Sequence, residues 1–393
     1  MNKRTGIFKS ALAAAVVLTS AVGTSAFAAQ PGVSQQGAVT VYTAPAKQSL
    51  ASPAIDFVNA RPMPLPRVTG LSSQAAQDGL IQALQSPSIR DKPALSPGGL
   101  GDGKESPVFL GTPVSPDLID EGVTPQEFGT LNHPFTTVRA DAFQGSTNKQ
   151  FPFRASGKLF FNIGANTFVC SASLIKRGIV VTAAHCIADF GASTFYSNWV
   201  FVPGYKNGAA PYGTWPTQSA VILTSYFNGT DSCAVPGIVC QNDVGVLRLN
   251  PQAGRFPGQS TGFYGFGVNG FGFTPGNLAH ITQIGYPVCL DNGARMERND
   301  SYGFVSAADS NNTVIGSLMC GGSSGGPWLV NFGKRPTLTG TTSGSESTPN
   351  TVVGVASWGY VSNAPKEMGA SPFTNGNIGV LASFFCGGTP NPC

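Results

Sequence analysis

"CGGSSGGPWLV", residues 320–330, sets Ser323 and Ser324 among four glycines, ahead of a proline and a tryptophan. A hydroxyl is a poor nucleophile near neutral pH. A serine here acts chemically only if the chain also supplies a base, a group that orients the base, and donors for an oxyanion. The flanking glycines let backbone N–H groups turn toward one point, as an oxyanion site requires. With Ser324 as nucleophile, the amides of Gly322 and Ser324 would form that site, and Ser323 would be a turn residue. The bland alternative is a tight turn and nothing more.

Gly322-x-Ser324-x-Gly326 also matches G-x-S-x-G, the nucleophile elbow of a parallel-sheet hydrolase, which demands the order serine, acid, histidine. The three histidines are His133, His185 and His280, and none follows Ser324, so that reading fails. His185 lies in "VVTAAHCIADF" (180–190), where an apolar strand ends in small residues and delivers the imidazole. A Cys170–Cys186 bridge would close a strand–turn–strand loop and clamp the backbone beside it, as a general base needs. Asp243, in "CQNDVGVLRLN" (240–250), heads an alternating strand and would accept the Nδ1–H of His185. Asp231 and Asp189 compete for that role. Asp231 has no strand predicted after it, and Asp189 is only four residues past the histidine. His133 and His280 read as structural.

"TAAHC" (182–186), "NDVGVLRL" (242–249), "GGSSGGP" (321–327) and "SWG" (357–359) together resemble the chymotrypsin-like, trypsin-type serine endopeptidases. "WVFVPGYKNGAAPYGTWP" (199–216) and "ITQIGYP" (281–287) resemble the bacterial and fungal, glutamyl-endopeptidase-like (V8-like) branch. The resemblance covers roughly 150–385. It implies an all-β fold of two antiparallel six-stranded barrels with the catalytic cleft between them, barrel 1 about 150–265 and barrel 2 about 266–393. It implies catalysis by His185, Asp243 and Ser324, with Gly322 and Ser324 holding the oxyanion. Ser357, Trp358 and Gly359 would be the edge that pairs with substrate. The remaining cysteines suggest the pairs Cys233–Cys240, Cys289–Cys320 and Cys386–Cys393, although eight cysteines allow ~105 pairings by spacing alone.

Two departures bear on activation and specificity. Ser323 stands where many animal relatives carry the aspartate that pairs with a new N-terminus, so activation by that ion pair is not expected. Leu318 and Met319 replace the acidic floor of relatives that cleave after Lys or Arg, and Ala356 replaces the histidine of those that cleave after Glu. An apolar floor gives a charge no partner, so the residue before the scissile bond (P1) is expected to be apolar or small. Glu367 could reach the pocket and restore a basic preference, but it reads as a solvated loop residue, because glutamate is seldom buried unpaired.

Composition agrees with this class. Only 11% of the 393 residues are charged, against 50 Gly and 30 Pro, and the formal net charge of +4 is scattered without a basic run. That excludes a nucleic-acid-binding reading. Short β-branched or aromatic runs bounded by turn residues recur from about Phe151, among them "KLFFNI" (158–163), "TVVGVASW" (351–358) and "GVLASFF" (379–385). They predict strands, and no sequence repeat of fixed period is present. Residues 1–28 read as a signal peptide with cleavage after Ala28. Residues 29–135 read as a largely irregular propeptide or N-terminal linker, with its junction to the enzyme somewhere in 115–150. "NARPMPLPRV" (59–68) reads as extended or disordered linker, and "SSQAAQDGLIQALQ" (72–85) as one short helix.

The expectation is therefore a secreted zymogen of a serine endopeptidase. It would be a monomer in its mature form, acting on polypeptides, with no membrane, metal or cofactor and with calcium left open. The alternatives are an inactive homologue serving as a binding module, and a secreted esterase on the same fold.

Overall fold

The computed structural model describes residues 30–45, 54–68, 93–114, 134–142, 144–274, 277–333, 348–360, 366–387 and 389–393. The signal peptide, the helix expected at 72–85 and His133 lie outside the described residues. All that follows concerns the unit Gly32–Cys393.

Six strands close the first barrel: β1 (Ser156–Ile163), β2 (Asn166–Lys176), β3 (Ile179–Thr182), β4 (Ser197–Pro203), β5 (Trp215–Leu223) and β6 (Gly245–Leu249). Six more close the second: β7 (Leu278–Gly285), β8 (Glu297–Ser306), β9 (Asn312–Gly316), β10 (Pro327–Val330), β11 (Thr351–Tyr360) and β12 (Glu367–Pro372). The first reads β1-β2-β3-β6-β5-β4 and returns to β1, all antiparallel. The second reads β7-β8-β9-β12-β11-β10 and returns to β7, again antiparallel. The two barrels thus repeat one strand order, although the sequence carries no repeat.

Side chains alternate across each strand, and both faces are used. On β1, Leu159 and Phe161 fill the interior of the first barrel with Leu174, Val180, Phe201 and Leu247. Phe160, between them, points the other way and joins Val169, Val181, Ile284, Leu329 and Val355 in a core shared by both barrels. The second barrel is filled by Ile281, Ile315, Trp328, Val353 and Met368. Burial on both faces is why these strands read as continuous apolar runs and not as alternation.

Residues 29–135 were expected to be largely irregular, yet the described parts contribute short strands that pair with both barrels. Val33–Gln36 and Val39–Thr43 form a hairpin added to β5, and Phe135–Arg139 pairs with β8. Arg61–Pro62 runs parallel to β2, and Arg67–Val68 parallel to β11. The linker reading of 59–68 is corrected: the barrels supply these residues with backbone partners that the local sequence cannot reveal.

The strand expected at "GVLASFF" is also corrected. Val380–Phe384 is helical and follows a turn at Asn375–Gly379. Thr374 and Asn377 form a reciprocal capping box, and Ile378, Leu381, Ala382 and Phe385 are buried at helical spacing. Among the described residues no helix is long and apolar enough to cross a membrane.

Candidate active site

His185 sits in a tight turn, Ala184–Cys186, as β3 ends. Cys186 is bonded to Cys170 on β2, and Trp199 donates its indole N–H to the Cys186 carbonyl at 3.0 Å. Asp243 lies just before β6 and grips the histidine twice. Its Oδ1 accepts the His185 backbone N–H at 2.8 Å, and its Oδ2 lies 2.7 Å from Nδ1. Asp243 is only 2% exposed and His185 5%.

Sequence reasoning missed a further partner. Ser357 Oγ donates to Asp243 Oδ2 at 2.6 Å. A register shift on β11 between Ala356 and Trp358 leaves Ser357 as the extra residue of a bulge, which frees its hydroxyl to turn to the carboxylate. Asp231, the competitor, is placed differently. It accepts from the backbone and side-chain amides of Asn242, at 2.9 and 2.6 Å, and so holds the turn that presents Asp243. A short strand, Cys233–Val235, does follow it, against expectation. Asp189 is exposed.

The loop that carries Ser324 is bound on all sides. Cys320 pairs with Cys289, and Ser323 Oγ donates to the Cys320 carbonyl at 2.6 Å, a turn contact as expected. Ser171 of β2 donates its N–H to the Ser324 carbonyl and its hydroxyl to the Gly322 carbonyl. Gly322 holds φ +90° and Gly325 φ +76°, a region open to glycine. A Cβ on Gly325 would fall 1.9 Å from Thr182 Oγ1. The close approach that excludes a side chain there is the one that brings this loop against β3 and the His185 turn. Ser324 Oγ and His185 Nε2 are both buried and have no hydrogen-bond partner among the described residues. The Cys233–Cys240 and Cys386–Cys393 bonds complete the four pairs.

Met319 and Ala356 belong to the apolar cluster of the second barrel, and Leu318 is half-buried. Trp358 is fully buried and donates to Asn312 Oδ1 at 2.6 Å, so of the expected edge residues it supports β11 from behind. Glu367 is not a solvated loop residue. It opens β12, is 5% exposed, and lies close enough to Asp309 and Tyr360 to act with burial in raising both of their pKa values. His280 lies in β7 with its ring edge-on to Tyr302.

Residues 61–68 cross this site. The Met63 N–H donates to the Val169 carbonyl at 2.9 Å, and the Gly322 N–H donates to the Met63 carbonyl at 3.2 Å. Leu65, 6% exposed, joins the cluster of Met319 and Ala356, and the Gly359 N–H donates to the Pro66 carbonyl at 2.9 Å. Both groups of candidate metal ligands among the described residues, Cys170–His185–Cys186 and Asp231–Cys233–Cys240, have their cysteines tied in disulfides.

The sequence pattern of the trypsin family matches residues 143–375, more than half of the chain. The chain belongs to the trypsin family. It is similar to a glutamyl endopeptidase of Bacillus licheniformis, 23% identical over 220 residues, covering 56% of this chain and 61% of that protein. It is also similar to an extracellular metalloprotease of Bacillus subtilis, 29% identical over 147 residues, covering 36% of this chain and 41% of that protein. The chain therefore spans less than two thirds of the length of either. Among solved structures it resembles the protease Anisep from Arthrobacter nicotinovorans, with 26% identity, a TM-score of 0.46, and coverage of 58% of this chain and 96% of that one.

Proposed function

We propose that this trypsin-family chain is a secreted serine endopeptidase made as a zymogen. Residues 1–28 are its signal peptide, 29–135 its propeptide, and 136–393 its enzyme. Ser324 is the nucleophile, His185 the general base and Asp243 the group that orients it. The observation that carries this reading is the double grip of Asp243 on His185, with His185 Nε2 and Ser324 Oγ both among the buried polar atoms left without partners.

In the reaction, Ser324 Oγ attacks the scissile carbonyl carbon while His185 Nε2 takes the hydroxyl proton. The tetrahedral oxyanion is held by the N–H groups of Gly322 and Ser324. A carbonyl oxygen already lies against the first of these, at the Met63–Gly322 contact. His185 then gives its proton to the leaving nitrogen, the C–N bond breaks, and an acyl-enzyme remains. Water, deprotonated by His185, hydrolyses it. Asp243 keeps Nδ1 as the donor and stabilises the imidazolium, and Ser357 donates to the same Oδ2 that faces the ring.

The P1 side chain is apolar or small, a reading supported by the apolar cluster that Met319 and Ala356 share with Leu65. Fluorophosphonate labelling of the secreted protein, with mass spectrometry to locate the adduct, tests the proposal. An adduct on Ser324 that disappears in His185→Ala is expected. No adduct on folded, processed protein would favour the binding-module reading. An adduct together with failure on every peptide substrate would favour an esterase.

A further inference from the structure

The segment that crosses the site runs the wrong way for a substrate. Arg61 and Pro62 lie beside Phe168 and Val169 on the first barrel, next to the Cys170–Cys186 bond. Arg67 and Val68 lie beside Gly359 and Tyr360 on the second, parallel to β11. The chain therefore passes from the β2 side to the β11 side. His185 belongs to the β2 side. In a productive complex the leaving nitrogen must face the histidine that protonates it, so everything after the scissile bond exits along β2. Everything before that bond lies along β11. A productive chain passes from β11 to β2, the reverse of residues 61–68.

The carbonyl bound by the Gly322 N–H belongs to the Met63–Pro64 bond. With reversed polarity its nitrogen points toward Gly359 and away from His185. That nitrogen also carries the proline ring. The segment nevertheless uses the features a substrate would use: the Gly322 N–H on the Met63 carbonyl, the apolar cluster of Met319 and Ala356 on Leu65, and the Gly359 N–H on the Pro66 carbonyl. A Cβ added to Gly359 would lie 2.7 Å from Leu65 Cδ2, so the two are in direct contact.

The sequence R-P-M-P-L-P-R suits this role. Pro62, Pro64 and Pro66 fix φ near −65°, so less conformational freedom is lost on binding. Of the two N–H groups left between Pro62 and Pro66, that of Met63 pairs with β2. Upstream, Phe57 packs edge-on against Phe160 at 5.0 Å and the Asp56 N–H donates to Thr167 Oγ1 at 3.0 Å. This anchors the segment on the first barrel.

We infer that residues 55–68 are a reverse-bound intramolecular inhibitor, and that the cleft of this enzyme accepts proline-alternating peptides in the polarity that cannot be cleaved. The inference rests on the peptidase reading above and adds the means by which the zymogen is held inactive.

Fluorophosphonate labelling of Ser324 in the full chain tests it, comparing wild type with Leu65→Asp, which places a charge in the apolar cluster of Met319 and Ala356. The variant is expected to label at least about tenfold faster, equivalent to a loss of about 1.4 kcal/mol in the binding of residues 55–68. A synthetic peptide, IDFVNARPMPLPRV (residues 55–68), is then added to the variant. It is expected to slow labelling in a dose-dependent way and to remain intact by mass spectrometry. The same peptide carrying Leu65→Asp is expected to have no effect. If the variant does not fold, the peptide is tested on the secreted, processed enzyme with the same readout. Labelling of Ser324 that the peptide does not slow, or cleavage of the peptide between Met63 and Arg67, overturns the inhibitor and leaves the peptidase reading standing. Absence of labelling in every form overturns the peptidase reading itself.

Discussion

Ser357 shows how much a single hydroxyl can carry. It stands in the bulge of β11 and donates to the buried carboxylate of Asp243. A hydrogen bond to a charged group is worth roughly 1.5–3 kcal/mol. Ser357→Ala is therefore expected to lower kcat about 10- to 100-fold with little change in KM, measured on a peptide substrate. Gly325 makes the opposite point, since its role is to carry no side chain. At φ +76°, with a Cβ 1.9 Å from Thr182 Oγ1, Gly325→Ala is expected to prevent secretion of folded enzyme. Yield in the culture medium against wild type checks it. The pocket predicts specificity at the same scale. If, as proposed, Met319 and Ala356 floor the P1 site, peptides with Leu or Met at P1 should exceed those with Arg or Glu by about 100-fold or more in kcat/KM, because apolar side chains offer a buried charge no partner. A P1 library that ranked Glu first would refute this.

At the scale of elements, short apolar runs were legible as strands wherever both faces are buried. "KLFFNI" and "TVVGVASW" fall in β1 and β11. "GVLASFF" has the same texture, yet it is helical. What distinguishes it is the capping box of Thr374 and Asn377 just before it, a Thr-x-x-Asn signal that the apolar run outweighed. Thr374→Ala removes a cap worth about 1 kcal/mol, and a Tm lower by roughly 2–4 °C is expected by calorimetry. β8 was illegible for the converse reason. "ERNDSYGFVS" is polar, but Glu297, Asn299 and Ser301 are buried because β7, β9 and Phe135–Arg139 pair around it. No property of those ten residues announces the neighbours.

At the scale of the whole molecule, burial reaches two ionisable groups far apart in sequence. Lys158, on β1, is buried with its ammonium between the rings of Phe160 and Tyr205 and donating to the Gly293 carbonyl. Burial lowers its pKa to about 7. Glu297 is pushed up to about 8 by burial and by Asp291, against the opposing pull of Arg139. Between about pH 7 and 10.5 the unfolded chain binds a proton on Lys158 that the folded chain lacks, so stability rises with pH there. Between 4.5 and about 8 the folded chain holds a proton on Glu297 that the unfolded chain lacks, so stability falls as pH rises there. The Tm profile is expected to dip near pH 7–8. Lys158→Met should remove the rise on the alkaline side and Glu297→Gln the fall on the acid side, read by thermal melts across pH.

By itself the sequence determined the trypsin-type pattern: His185, Asp243 and Ser324 in that order, eight cysteines, and apolar residues at Leu318 and Met319. These are local facts, because residue type, spacing and order are written along the chain. Only the tertiary structure decided that Ser357 braces Asp243, that Asp231 holds the turn of Asn242, and that Glu367 is buried. It alone assigned Met63 and Leu65, taken from the sequence as linker, to the cleft. The contacts of Ser357 with Asp243 and of Met63 with Gly322 join residues more than a hundred positions apart, and their energy comes from barrel closure, which fixes register, polarity and burial together. A proline-alternating segment looks the same in solution as in a groove. The difference lies in the strands on either side of it.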